Sequence, residues 1–227
     1  MNKTMGILGG MGMFATINFL TEFITKWAKV YKIEKEWEYP KYILYANPKL
    51  PSRSRHIFYN EESPLNILKE DIIHLNSCNI DFIVIPCNTV HYYYEELQKI
   101  SKVKILNMIE IVSNYLIKSV NEKEKKFVIG TEAMFKTKLY SNYGVKNLEY
   151  CENTILVRTI IDSVKNNNVN EDILNLFKTL LVKDKLNLLC CTELSKLFSD
   201  NLNYFKEYNI IDPIDIFIEH IVKIAFN

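Results

Sequence analysis

Ile83-Val84-Ile85-Pro86-Cys87-Asn88-Thr89 and Asn187-Leu188-Leu189-Cys190-Cys191-Thr192 follow one pattern: an apolar run, a cysteine, then side chains bearing amide or hydroxyl groups. Apolar runs without polar alternation, such as Phe82-Ile83-Val84-Ile85, imply strands buried on both faces, as parallel sheets require. A second echo, a strand running into glycine, occurs at Ile7-Leu8-Gly9 and Val128-Ile129-Gly130. The chain therefore reads as two similar α/β halves. In open α/β sheets ligands bind beyond the carboxyl ends of the strands, so both cysteine elements stand where function is expected.

Outward from these segments, short β-rich runs alternate with longer amphipathic ones, the signature of βαβ units. Strands are expected at residues 6–8, 42–45, 82–85, 127–129 and 186–189, with weaker candidates at 104–106, 147–149 and 209–211. Apolar residues at i, i+3 and i+4 predict helices over 16–30, 64–76, 109–120, 153–165 and 170–181. A last helix over 213–225 would start from Asp212 as N-cap with Pro213 at N1. Residues 121–126 form a charged, solvated turn, and Pro51-Ser52-Arg53-Ser54-Arg55 reads as a loop after the second strand.

With 48% hydrophobic residues in 227, the chain can bury a substantial core. Its 28 Lys and Arg nearly balance 27 Asp and Glu, which argues against a nucleic-acid partner needing a basic stripe. Five irregularly spaced cysteines argue against a disulfide scaffold and for a reducing, cytoplasmic compartment. No apolar run approaches the roughly 20 residues needed to span a bilayer. The glycine-broken N-terminus suits a strand and tight turn better than a signal peptide.

Four groups of residues could carry chemistry. Cys78, Cys151 and Cys190 read as small packing residues. Cys87 and Cys191 each end a buried strand before a helix N-terminus, a setting expected to lower a thiol's pKa. Gly10-Met11-Gly12-Met13-Phe14-Ala15 matches a dinucleotide fingerprint, yet the second strand ends Tyr45-Ala46-Asn47-Pro48, without the ribose-binding acid. A glycine turn whose amides approach an anion is the alternative. Arg53 could bind a carboxylate bidentately, and Lys165 reads as a helix C-terminal lysine. Cys87 and His91 lack a second pair at metal-ligand spacing, so no metal site is expected.

These motifs together resemble the aspartate/glutamate racemase family, and within it the aspartate racemases. The resemblance runs from Gly6-Ile7-Leu8-Gly9-Gly10-Met11-Gly12 through the segment from Asn47 to Arg53, Pro86-Cys87-Asn88-Thr89-Val90-His91, Gly130-Thr131 and Cys191-Thr192-Glu193-Leu194 to Ile211-Asp212-Pro213. Glu193 resembles the aspartate branch, since glutamate racemases carry His there. The resemblance implies two doubly wound α/β domains, each with a four-stranded parallel sheet, related by a pseudo-twofold axis. Their expected spans are 1–106, joined by a C-terminal helix at 212–227, and 107–211. It also implies interconversion of L- and D-aspartate by a homodimer without cofactor or metal. Cys87 and Cys191 fall on the family's catalytic cysteines, and Arg53 and Lys165 on its carboxylate-binding cations. Asn88, Thr89, Thr131, Thr192, Met11 and Gly12 fall on positions lining the site.

The chain departs from the family at Met13 (usually Pro), at Ser52-Arg53-Ser54 (commonly Asp-Arg-Thr), at Cys190 (Gly) and at Met134 (often Thr). The last three touch the rim and put substrate preference in question. Alternatives are an isomerase acting on glutamate, a hydantoin or a maleate-like acid, a dicarboxylate-binding protein without catalysis, and a nucleotide-dependent oxidoreductase.

Overall fold

A computed structural model describes residues 3–225. The first half runs β1 (Met5–Gly9), α1 (Met13–Tyr31), β2 (Tyr42–Ala46), α2 (Arg53–Tyr59), α3 (Leu65–Asn76), β3 (Phe82–Val84), α4 (Tyr94–Ile100) and β4 (Lys104–Ile105). The second runs α5 (Met108–Ser119), β5 (Lys126–Gly130), α6 (Glu132–Thr137), α7 (Leu139–Asn142), β6 (Leu148–Tyr150), α8 (Thr154–Lys165), α9 (Glu171–Leu180), β7 (Leu186–Cys190), α10 (Thr192–Asp200) and β8 (Ile210–Ile211), and α11 (Pro213–Ala225) closes the chain. Each half holds a four-stranded sheet, ordered β2-β1-β3-β4 and β6-β5-β7-β8. Every strand pairing is parallel. The second order is the first shifted by four strands, so β3 and β7 occupy equivalent places.

The layers follow from which faces are apolar. Helices α1, α5 and α11 form a central layer between the sheets, where Phe19, Phe23, Trp27, Val112 and Phe217 pack against Met5 and Val84 on one side and Val128 and Leu188 on the other. Helix α3 covers the outer face of the first sheet through Leu68, Ile72 and Leu75. Val157, Ile160 and Phe177 of α8 and α9 cover the outer face of the second. One core therefore serves both halves. Of the spans expected from the sequence, residues 1, 2, 226 and 227 lie outside the described residues. Among the described residues no helix is long and apolar enough to cross a membrane.

Caps set several boundaries where expected. Asn107, Asn153 and Asn170 accept from the backbone amide three residues on. Asp212 Oδ1 accepts from Ile214 N at 2.9 Å ahead of α11. Two expectations are corrected. The segment containing Arg53 is the first turn of α2, whose N-cap Ser52 accepts from Arg55 N at 3.3 Å. Helix α1 starts at Met13, ahead of the expected residue 16, with Thr16 Oγ1 bonded to Gly12 O at 2.8 Å. The glycine turn is also less open than expected. Gly10 (φ +90°) lies against the Asn47 backbone, with room for no Cβ, and its amide donates to Thr16 Oγ1 at 3.0 Å.

Candidate active site

Beyond the carboxyl ends of both sheets lies a cleft. Met11, Arg53, Cys87, Asn88, Thr89, Thr131, Lys165, Cys191 and Thr192, separated by up to 181 residues in sequence, all line it. Gly12 adjoins it, because a Cβ built there would stand 3.0 Å from Glu193 Oε1 and 3.7 Å from Lys165 Cγ. Ser52, Ser54, Ile161, Cys190 and Glu193 complete the wall. Ser52, Ser54 and Cys190 were expected at the rim as departures, whereas Ile161 and Glu193 were not; Met134, also expected at the rim, is instead buried in the central core. The signal for Glu193 was present in the sequence: a carboxylate two residues past a strand-end thiol.

The two thiols stand at equivalent strand ends in different settings. Cys191 is the N-cap of α10, and its Sγ donates to Glu193 Oε2 at 3.0 Å. Burial first, and then the Glu193 carboxylate, push this thiol well above the ordinary cysteine range. This reverses the sequence expectation: desolvation and an adjacent anion outweigh the helix N-terminus. Cys87 follows the end of β3, and the backbone beyond it enters a short 3₁₀ turn over Thr89–Tyr93 in place of the α-helix expected there. Among the described residues no hydrogen bond engages its sulfur. Cys190, one residue before Cys191, packs in the central core as well as adjoining the cleft; Cys78 is half-buried and donates weakly to His74 O at 3.4 Å.

The surrounding groups are held from both halves. Tyr140, fully buried, donates to Asn88 Oδ1 at 2.6 Å, which leaves Asn88 Nδ2 buried without a partner. Arg53 donates from Nη2 to Met11 O at 3.1 Å and from Nη1 to Pro51 O at 3.5 Å, while its Nε is buried and unpartnered. Thr89 and Thr131 hydroxyls meet at 3.2 Å across the seam. Ser54 on α2 donates to Glu132 Oε2 at 2.8 Å. Glu132 also pairs with Arg158, whose guanidinium donates to Tyr59 at 2.9 Å. Helix α2, which carries Arg53, is thereby tied to α6 and α8. Lys165 lies at the rim, 3.9 Å from Asp162 and half-exposed. Among the described residues no group of three His, Cys, Asp or Glu side chains is arranged to hold a metal.

Paired strand-end thiols in mirrored halves, with two cations on the cleft wall, are what a two-sided proton transfer to a carboxylic acid would require. A family model described as Asp/Glu/Hydantoin racemase matches residues 8–221. The chain belongs to this racemase family. A curated relative, the broad specificity amino-acid racemase RacX of Bacillus subtilis (strain 168), is 33% identical over 136 residues, 60% of this chain. The matched stretch spans 57% of that protein's length. Among solved structures, the Picrophilus torridus aspartate racemase superposes with a TM-score of 0.84 at 27% identity, covering 99% of this chain and 94% of that one. The Campylobacter jejuni glutamate racemase gives a TM-score of 0.69 at 16% identity over 97% of this chain and 85% of its own, a likeness of fold alone.

Proposed function

We propose that this chain is a cofactor-independent amino-acid racemase that interconverts L- and D-aspartate, with Cys87 and Cys191 as its two proton-transfer groups. The observation that carries this is the pair of thiols at equivalent ends of β3 and β7 in one cleft. Inversion needs a base on one face of Cα and an acid on the other, and mirrored halves supply one group each. A thiolate at one cysteine takes the α-proton while the thiol of the other delivers a proton to the opposite face. The thiol and thiolate exchange places, and the reverse turnover or proton exchange with water restores the start. Cys191, held as a thiol beside Glu193, is the donor in the resting enzyme.

General acid–base catalysis contributes about 10²–10⁴-fold, too little for so weak a carbon acid. The charge developing on the α-carboxylate must be met by preorganised donors. The unpartnered Asn88 Nδ2 and Arg53 Nε are ready for that role, and Lys165 at the rim suits a second carboxylate. The resemblance to an aspartate racemase over nearly the whole chain favours aspartate over glutamate. One methylene separates the two acids, a difference worth about 1–3 kcal/mol. The test is a chiral assay on aspartate with reduced thiols and no added cofactor. Inversion of aspartate is expected to outpace that of glutamate; absence of any inversion overturns the proposal.

A further inference from the structure

We propose that Glu193 is the group that recognises the α-ammonium of the substrate, restricting the cleft to free amino acids over hydantoins, maleate-like acids and other ligands that lack a cation there. The inference rests on the cleft being the racemase site proposed above. Its starting point is an unmatched set of buried polar atoms. Arg53 Nε, Asn88 Nδ2 and Glu193 Oε1 are all buried without a partner, and all three residues line this cleft. A buried polar group left unpaired in a native structure calls for a missing partner. Two of these are donors and one is a carboxylate oxygen. The ligand that satisfies them presents an acceptor to the first pair and a donor, preferably cationic, to the third. An α-amino acid zwitterion does both.

Glu193 is 3% exposed, and its two oxygens have different surroundings. Oε2 accepts from Cys191 Sγ at 3.0 Å and from Thr192 Oγ1 at 3.3 Å. Oε1 faces Gly12, where the missing side chain leaves the space in front of it open. Lys165 passes its aliphatic stem by that space, while its ammonium stands 3.9 Å from Asp162 on the exposed side. A buried carboxylate is thus left with a thiol on one oxygen and no cation on the other. Charge-assisted hydrogen bonds are the strong ones, and an ammonium offers three donors. The same contact links binding to chemistry: burial and then the Glu193 charge hold Cys191 protonated, and an ammonium at Oε1 offsets the second of these, so a ligand without it leaves that thiol harder to ionise.

The experiment compares matched ligand pairs, aspartate with succinate and glutamate with glutarate, by calorimetric affinity in the wild-type chain, Glu193→Gln and Glu193→Asp. The wild type is expected to bind at least one amino acid about tenfold or more tightly than its des-amino partner. Glu193→Gln should bring that ratio near one, chiefly by weakening the amino acid, with the des-amino acid unchanged or tighter. Glu193→Asp, which keeps the charge, should retain part of the preference. A ratio unchanged by Glu193→Gln overturns the proposal. So does equal weakening of both ligands, which would assign Oε1 to Lys165 or to packing. Should Glu193→Gln fail to fold, a wild-type ratio near one still overturns it, and no binding of any of the four acids does the same. Racemisation is followed in parallel. Ammonium preference without racemisation removes the proposed activity and keeps this inference; racemisation without the preference overturns this inference alone.

Discussion

The strand ends after β3 and β7 are topological equivalents with unlike chemistry. After β7, Cys191 opens an α-helix and hands its proton toward a buried carboxylate. After β3, Cys87 precedes a 3₁₀ turn and an amide, Asn88, fixed by Tyr140 from the other half. The difference extends into the walls behind them. His91, four residues beyond Cys87, is buried with its Nε2 3.2 Å from Ile85 O; because a carbonyl only accepts, that nitrogen carries the hydrogen. Behind Cys191, Ser195 donates to the half-buried Asp212 at 2.7 Å. A duplicated fold can therefore bring two thiols to one cleft while giving each its own surroundings, and the proposed two-sided exchange requires two groups that differ at every moment.

The strongest challenge to this comparison is to remove each thiol. Cys87→Ser and Cys191→Ser should each lower racemisation by about 10²–10⁴-fold or more. In D2O each should retain α-hydrogen exchange with one enantiomer, the opposite one in the two variants. Exchange of the same enantiomer by both would break the two-sided assignment. A smaller effect is expected from Glu193→Ala. Without the carboxylate, the Cys191 thiolate forms at lower pH, so its alkylation at pH 8, followed by mass spectrometry, should quicken about tenfold, while Cys87 keeps its rate.

Tyr140→Phe probes the Cys87 side. It leaves Asn88 Oδ1 buried without its donor, a loss of about 1–3 kcal/mol, and thermal melting should read it as a drop of about 2–12 °C. The subtlest test is the pH dependence of stability. Burial lowers the His91 pKa to about 4 from 6.5, so its contribution is present above about 6.5 and lost as pH falls toward 4. Burial raises Asp212 to about 7 from 3.8, so its contribution is present at low pH and lost as pH rises through that window. The two oppose, and the wild-type chain should show a shallow dependence between pH 4 and 7. Asp212→Asn should make melting temperature climb with pH, and His91→Gln should make it fall. Slopes of the same sign in both variants would erase the contrast between the halves.

Much of this was legible in the chain because it was local. Alternating apolar runs and amphipathic segments located the eight strands, and Asp212 announced its helix as a cap; Asn153 and Asn170, expected as the first residues of their helices, cap them instead. Helix α2 escaped because Pro51 and the arginines resemble a solvated loop, although Ser52 carried the N-cap signal. The cleft residues could be named from motif resemblance, yet their roles toward each other could not. Glu193 was legible as a neighbour of Cys191, while its effect on the thiol depended on burial, which a sequence does not state. Tyr140 left no trace at all, since its 52-residue separation from Asn88 is closed only by the fold.

The central helical layer has a consequence for how activity is lost on heating. Because α1, α5 and α11 form one core with both sheets, opening the seam leaves each half only the apolar layer on the outer face of its sheet. Thermal inactivation and loss of secondary structure should then trace a single curve.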